Sequence, residues 1–190
     1  VHLDNNEIEK LRKDQVYLSH QPRSNMNNAV GLGDVVSVLH SGVKVCLGND
    51  GFSNSMWEEW KTAYLGQRLW HRDNQRLGGY DLYKIAIDNN AELATNSFGI
   101  KIGELSPGFA ADLIFVDYHP FTPFTADNFP WHVVFGFHDS FITDTMVHGR
   151  FLMRERKLLL IDEEKIAQEA FAHAAEVWDR YQKNMATGGL

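Results

Sequence analysis

Cysteine is nearly absent from this sequence, since Cys46 is the only one among 190 residues. No disulfide can therefore form within the chain, which excludes a small fold stapled by disulfides. A lone thiol inside an apolar segment is typical of proteins of the reducing cytosol, so we expect a cytoplasmic location. Apolar runs are also short, and none approaches the roughly 20 residues of a membrane-spanning helix, so we expect no membrane partner.

Positive charge is scarce as well. The chain has 18 Lys and Arg against 25 Asp and Glu, which gives a formal net charge of -7. An acidic surface repels the phosphate backbone, so we expect no nucleic-acid partner. The remaining composition, 44% hydrophobic and 23% charged, is ordinary for a globular domain, and the length suffices for one domain with a core.

One apolar segment ends in an acidic residue. The apolar run that starts at Val43 stops at Gly48, and Asp50 follows two residues later. In α/β folds, ligands and metals bind at the C-terminal ends of parallel strands. A carboxylate there can bind a metal and accept a proton from a bound water. The alternative is that Asp50 is a turn residue or a cap before the helix expected from Asn54 onward.

A second short strand precedes this one. It begins at Val16 and breaks into a polar segment that carries His20, Ser24 and Asn25. Residues 34–40 lie between the two strands and have the apolar spacing of a helix. The order strand, helix, strand predicts a parallel pair with polar side chains at both strand ends.

These motifs resemble the last two barrel strands of the amidohydrolase superfamily. The likeness rests on Ser-His-Gln-Pro-Arg-Ser-Asn at 19–25 and Leu-Gly-Asn-Asp-Gly at 47–51. It is strongest to the deaminase and chlorohydrolase branch that acts on nitrogen heterocycles, and within it to SsnA-type aminohydrolases. Residues 103–117 resemble the sequence that leads into the family's small β-domain, and residues 145–157 resemble the final hairpin of that domain.

The resemblance implies an α/β fold: the C-terminal portion of a metal-dependent hydrolase TIM barrel, with its last strands and helices, plus strands of a small composite β-sandwich domain. We assign residues 1–100 to the barrel, 101–160 to strands of the small domain, and 161–190 to a C-terminal helix and a frayed tail (186–190). Family members are more than twice as long and carry a His-x-His pair, which this chain lacks. We therefore expect a missing N-terminal part of the same protein as partner, and a homo-oligomer.

The resemblance also implies a reaction, the hydrolysis of a C–N bond in a nitrogen heterocycle. One divalent metal ion would activate water, with Asp50 as metal ligand and proton shuttle. Zinc is the first choice and iron or manganese the alternatives, and the other ligands lie outside this chain. His20, Asn25, Phe52 and Asn54 are the candidate residues for binding substrate or supporting the site.

Each of these four side chains also has a structural interpretation. His20 can bond a backbone carbonyl of the adjacent strand, and Asn25 can bond its own loop. Phe52 and Asn54 can simply lead into a helix cap. The family usually has Thr before the Asp where this chain has Asn49, so the surroundings of the carboxylate are expected to differ.

Two other functions remain open at the level of sequence. The first is a chlorohydrolase, in which the same site releases chloride. The second is a non-catalytic fragment that only complements an N-terminal half, since a lone carboxylate cannot hold a catalytic zinc.

The remaining pattern predicts further elements. Helices are expected at 5–13, 81–89, 91–97, 131–137 and from Asp162 onward, with strands at 111–118, 141–148 and 150–160.

Overall fold

The computed structural model describes residues 2–188. Its first half contains α1 (Asn5–Lys13), β1 (Tyr17–His20), α2 (Pro22–Asn27), α3 (Val35–His40), β2 (Lys44–Leu47), α4 (Met56–His71), α5 (Gly79–Tyr83), a π-helical turn (Lys84–Asp88) and α6 (Asn89–Phe98). Its second half contains β3 (Leu113–Val116), α7 (Phe129–Gly136), a 3-10 turn (Asp139–Phe141), β4 (Ile142–Val147), β5 (Arg150–Arg154), β6 (Lys157–Leu158) and α8 (Glu163–Ala186). Residues 189 and 190 of the predicted frayed tail lie outside the described residues.

The predicted parallel strand pair is present. β1 pairs with β2 in parallel, and the register places Leu18 beside Val45 and His20 beside Leu47. The connection between them contains α3, whose N-cap Asp34 accepts a hydrogen bond from the backbone of Ser37. A parallel pair brings the C-terminal ends of both strands to one edge, where the two polar segments meet.

The core lies between this strand pair and the helices that follow it. Val45, Trp60, Leu82, Ile85 and Val133 are all at most 1% exposed. They come from β2, α4, α5, the π-helical turn and α7, so one cluster joins both halves of the chain. Fully burying a side chain of this size contributes about 1.5–3 kcal/mol. The cluster thus supplies the rigid base on which the strand ends sit.

Helix α6 differs from the prediction. The two separate helices expected over this stretch form one continuous helical segment, through the π-helical turn. Asn89 and Asn90 lie at the junction between the two predicted helices, and they bind the backbone of β2. The amide of Asn89 donates to the carbonyl of Val45 at 2.7 Å. Asn90 donates to the carbonyl of Leu47 at 2.9 Å and accepts from its N–H at 3.1 Å. Polar side chains inside a helix were therefore a sign of a tertiary contact.

The small sheet is antiparallel, with the order β3-β4-β5-β6. The strand predicted over 150–160 is interrupted at Glu155 and Arg156, which have φ angles of 49° and 60°. Two successive residues in the left-handed region make a tight hairpin turn, so the segment folds back as β6.

Helix α8 forms where the sequence predicts it, but none of its residues is buried. Phe171 is 84% exposed and Trp178 is 60% exposed. Across residues 2–188, no helix is both long and apolar enough to cross a membrane.

Candidate active site

The candidate site lies where β1 and β2 end. The N–H of Gly48 donates to the carbonyl of His20 at 2.9 Å, which extends the parallel pairing past both strands. α2 then follows β1, and the loop 48–55 follows β2. The hydroxyl of Ser24, on α2, donates to Oδ2 of Asp50 at 2.6 Å. The structure therefore places the predicted carboxylate at the C-terminal end of the strand pair, in contact with the other polar segment.

Asp50 has an uncommon backbone conformation. Its φ angle is 50°, in the left-handed region, which is sparsely populated by residues other than glycine, with Asn and Asp the most tolerant. Asn49 holds this turn. Its side-chain amide donates to the carbonyl of Phe52 at 3.2 Å and to Oδ1 of Asn54 at 2.9 Å. Its carbonyl accepts from the N–H of Phe52 at 3.1 Å. The Asn that stands where the family usually has Thr thus shapes the loop that presents Asp50.

The Asp50 carboxylate is accessible, and within residues 2–188 only one of its two oxygens accepts a hydrogen bond. The residue is exposed, and Oδ2 is engaged by Ser24. Oδ1 has no hydrogen-bond partner among the protein atoms of residues 2–188. An ionised carboxylate accepts hydrogen bonds or ligates a metal through either oxygen. One oxygen is therefore oriented and the other is available.

His20 is separate from the Asp50 loop and faces the core. It pairs in register with Leu47 and so shares the side of the sheet that packs on the helices. Its side chain is 3% exposed, and Nε2 has no hydrogen-bond partner among the described residues. Burial lowers the pKa of His20 to about 4. The imidazole is therefore neutral at pH 7, and its role in the site stays a prediction.

Asn25 borders the same region as His20. Both line a cavity of about 370 Å³ together with Gln21, Ser37 and residues of α1. The other two candidates lie in the loop with Asp50. Phe52 is 39% exposed, and Asn54 already accepts the hydrogen bond from the amide of Asn49. The five predicted residues therefore form two groups, Asp50 with the loop and His20 with Asn25.

Arg23 is the residue that the sequence analysis missed. Its Nε donates to Oε1 of Glu59 at 2.6 Å, and Nη2 donates to the carbonyl of Ser53 at 2.6 Å and that of Ser55 at 3.2 Å. Nη1 donates to Oγ of Ser53 at 3.0 Å and to Glu58 at 2.5 Å. The available signal was an Arg directly before Ser24, with two adjacent acids in the first turn of α4.

The residues of this chain fit a metal only in part. Within residues 2–188, no group of three or more His, Cys, Asp or Glu side chains could hold a metal ion. A catalytic zinc takes three protein ligands and an open position. Asp50 has the character of one such ligand, because its carboxylate is accessible and oriented. One carboxylate does not make such a site, so the role of Asp50 as a metal ligand stays a prediction.

Comparison with known proteins identifies the family. The sequence profile of the amidohydrolase family matches residues 1–152. This range covers most of the chain and includes both strand-end motifs. The chain therefore belongs to the amidohydrolase family, as its resemblance predicted.

Curated relatives are deaminases. The chain is 33% identical over 181 residues to a 5'-deoxyadenosine deaminase of Methanosarcina mazei, covering 93% of this chain and 41% of that protein. It is 35% identical over 182 residues to a 5-methylthioadenosine/S-adenosylhomocysteine deaminase of Dictyoglomus thermophilum, covering 93% and 42%. The chain thus spans about two fifths of the length of these relatives.

Solved structures show the same fold. An adenosine deaminase from Xanthomonas campestris with bound zinc matches with a TM-score of 0.78 and 22% identity, over 96% of this chain and 41% of that one. Atrazine chlorohydrolase from Arthrobacter aurescens, as an E241Q mutant with zinc and atraton, gives a TM-score of 0.74 and 18% identity, over 90% and 39%. The predicted fold, the C-terminal portion of an amidohydrolase, is confirmed.

Proposed function

We propose that this chain belongs to a metal-dependent hydrolase that removes an amino group from an adenosine-like nucleoside. The observation that carries the proposal is the oriented carboxylate of Asp50 at the end of β2, with Ser24 on one oxygen at 2.6 Å. The two deaminase relatives share an adenosine moiety in the names of their substrates, which favours a purine nucleoside over other nitrogen heterocycles.

In this proposal, Asp50 moves the proton. A divalent metal, when bound, supplies a water with a pKa near 7. The carboxylate of Asp50 would be one of the residues that hold this metal, and it would accept the proton of the attacking water and deliver it to the leaving amine. The hydrogen bond from Ser24 orients the carboxylate, so the same oxygen would face the reacting atoms at both steps. Zinc is the metal we propose, because the adenosine deaminase of like fold contains it.

The loop after β2 offers a surface for the substrate. The ring of Phe52 is 39% exposed, and the guanidinium of Arg23 lies 5.2 Å from its centre. A planar purine can stack on such a ring. His20 is the last residue of β1 and Asn25 lies on α2, and we assign both a supporting role in binding.

A longer polypeptide that contains this chain provides the test. Purified protein is incubated with adenosine, 5'-deoxyadenosine, 5'-methylthioadenosine, S-adenosylhomocysteine and a chlorinated triazine, and both ammonia and chloride are measured. The proposal expects ammonia from the nucleosides. Chloride from the triazine without ammonia from any nucleoside would favour dehalogenation instead. Release of neither product by a metal-loaded protein would refute the hydrolase.

The 190-residue chain by itself is the matched control. Because it offers Asp50 as its single candidate metal ligand, the isolated chain is expected to release neither ammonia nor chloride. Turnover by the isolated chain at the rate of the longer protein would show that other residues do the chemistry.

A further inference from the structure

Two consecutive residues of α2 hold the two ends of the loop after β2. Ser24 binds Asp50 at the start of the loop. Arg23 binds Ser53 and Ser55 at its end, and Glu59 in the first turn of α4. Both residues lie on one short helix, α2. Their side chains therefore hold the start and the end of the loop against the same helix.

We infer that Arg23 is a positioning residue for Asp50. With Glu59 it fastens the loop to α2, and this fixes where the carboxylate lies. The consequence for catalysis rests on the proposed function, whereas the fastening of the loop does not.

The ion pair at the base of this arrangement is buried. The side chain of Glu59 is 0% exposed and that of Arg23 is 9% exposed. A buried charge requires a partner, because it has lost its water. Glu59 therefore anchors Arg23 in one place. The backbone N–H of Arg23 also donates to Oε2 of Glu59, at 3.4 Å, so both carboxylate oxygens bind the same residue.

The shape of the guanidinium transmits this anchoring to the loop. Its planar fork has five N–H donors in fixed directions. Nε faces Glu59, while Nη2 donates to the carbonyls of Ser53 and Ser55. A lysine ammonium would keep the charge but not the fork. The charge balances Glu59, and the fork places the loop.

One carbonyl connects Arg23 to the turn that carries Asp50. The oxygen of Ser53 accepts from Nη2 of Arg23 at 2.6 Å and from the side-chain amide of Asn49 at 3.3 Å. Asn49 directly precedes Asp50 and holds its left-handed turn. A continuous path of hydrogen bonds therefore runs from Glu59 through Arg23 and Ser53 to the residue beside the carboxylate.

The decisive variant is Arg23→Lys in the longer protein that contains this chain, with Glu58→Gln as its matched control. Glu58 touches the same guanidinium at 2.5 Å, but its side chain is 60% exposed, so its ion pair is expected to matter little. Hydrogen exchange of the peptide 49–55 is followed by mass spectrometry. Zinc affinity, kcat and KM are measured on the same material.

Arg23→Lys is expected to speed exchange of this peptide at least about tenfold and to lower zinc affinity and kcat by about 10–100-fold, with KM within about twofold. Glu58→Gln is expected to leave all four within about twofold. Wild-type exchange in Arg23→Lys would overturn the inference. Faster exchange and weaker zinc binding in a protein that deaminates nothing would support the positioning role and remove the proposed function.

A second variant keeps the test decisive if Arg23→Lys fails to fold. Changing both members of the pair, Arg23→Met with Glu59→Met, leaves no buried charge unpaired and is expected to preserve the fold. The fork is absent in this variant, so exchange of residues 49–55 is again expected to rise about tenfold. Exchange at the wild-type rate in a folded double variant would contradict the inference.

Discussion

The hydroxyl of Ser24 donates a hydrogen bond of 2.6 Å to the carboxylate of Asp50. The two residues are 26 positions apart, and each follows one of the two parallel strands. The contact is short, and an ionised acceptor makes such a bond about twice as strong as a neutral one. This hydrogen bond therefore joins the segments that follow β1 and β2, and its acceptor is a carboxylate, a group that can bind a metal ion.

Ser24→Ala tests this contact. Without the hydroxyl, the Asp50 carboxylate can rotate, so kcat of the longer protein is expected to fall about 10–100-fold. The free energy of unfolding should change little, because Asp50 is exposed and can bond water instead. Steady-state kinetics with a nucleoside substrate measures the effect. Ser97→Ala, at an exposed position of α6, serves as the control. Equal kcat values for the two variants would show that the Ser24 hydroxyl is dispensable.

His20 makes stability depend on pH. Burial lowers the pKa of its imidazole to about 4 from the ordinary value of 6.5, so the unfolded chain takes up a proton that the folded chain does not. The contribution of His20 is fully present above pH 6.5 and is lost as the pH falls from 6.5 to 4. At about 1.4 kcal/mol for each unit of pKa, the loss amounts to about 3 kcal/mol.

Urea unfolding at pH 7 and pH 4.5 measures this loss. The fall in the free energy of unfolding should be smaller in His20→Gln than in wild type, whereas His173→Gln, at an exposed position of α8, should fall as wild type does. If His20→Gln loses as much stability as wild type on acidification, the histidine is not held neutral.

Gly79 and Gly78 form a matched pair of neighbouring sites. A Cβ on Gly79 would lie 2.9 Å from the ring of Trp131 and 3.2 Å from Cβ of Pro130, whereas a Cβ on Gly78 would meet nothing within 4 Å. Overpacking in Gly79→Ala is expected to lower the free energy of unfolding by about 1–3 kcal/mol. Gly78→Ala should stay within about 0.5 kcal/mol of wild type. Chemical denaturation of both variants measures the difference. Indistinguishable unfolding midpoints for Gly79→Ala and Gly78→Ala would mean that α5 and α7 do not pack as described.

Asn89 supports the edge of β2 that faces away from β1. Its side chain is 5% exposed, and its amide donates to the carbonyl of Val45 at 2.7 Å. Asn89→Ala would leave that carbonyl without its partner, which is expected to cost about 1–3 kcal/mol of unfolding free energy. Asn96→Ala removes an exposed hydrogen bond to Tyr17 and should cost less than about 0.5 kcal/mol. Equal effects would contradict a supporting role for the buried amide.

Much of the strand-end architecture follows from local pattern. An apolar run that ends in Gly48 and Asp50 predicts both the strand and its polar end, and the run before His20 predicts its parallel neighbour. The helical spacing of residues 34–40 places the connection correctly. These features depend on burial and chain direction, which the order of residue types records.

Features that depend on long-range hydrogen bonds were not predictable in the same way. The buried pair of Arg23 and Glu59 joins residues 36 positions apart, and the position of Arg23 before Ser24 does not by itself show which acid it pairs with. The two predicted helices are separated at Asn90, yet Asn89 and Asn90, which have low helix propensity, each bind β2 from within one continuous helical segment. In both cases the partner backbone or carboxylate decides the outcome, and it is distant in sequence.

The most direct test of the account is ammonia release by the longer protein carrying Asp50→Asn, with zinc content measured on the same samples. The amide cannot accept the proton and is a poorer metal ligand, so turnover should fall below detection while the circular dichroism spectrum stays that of wild type. Asp179→Asn, at an exposed position of α8, should retain wild-type turnover. Near-normal ammonia release by Asp50→Asn would remove this carboxylate from the mechanism.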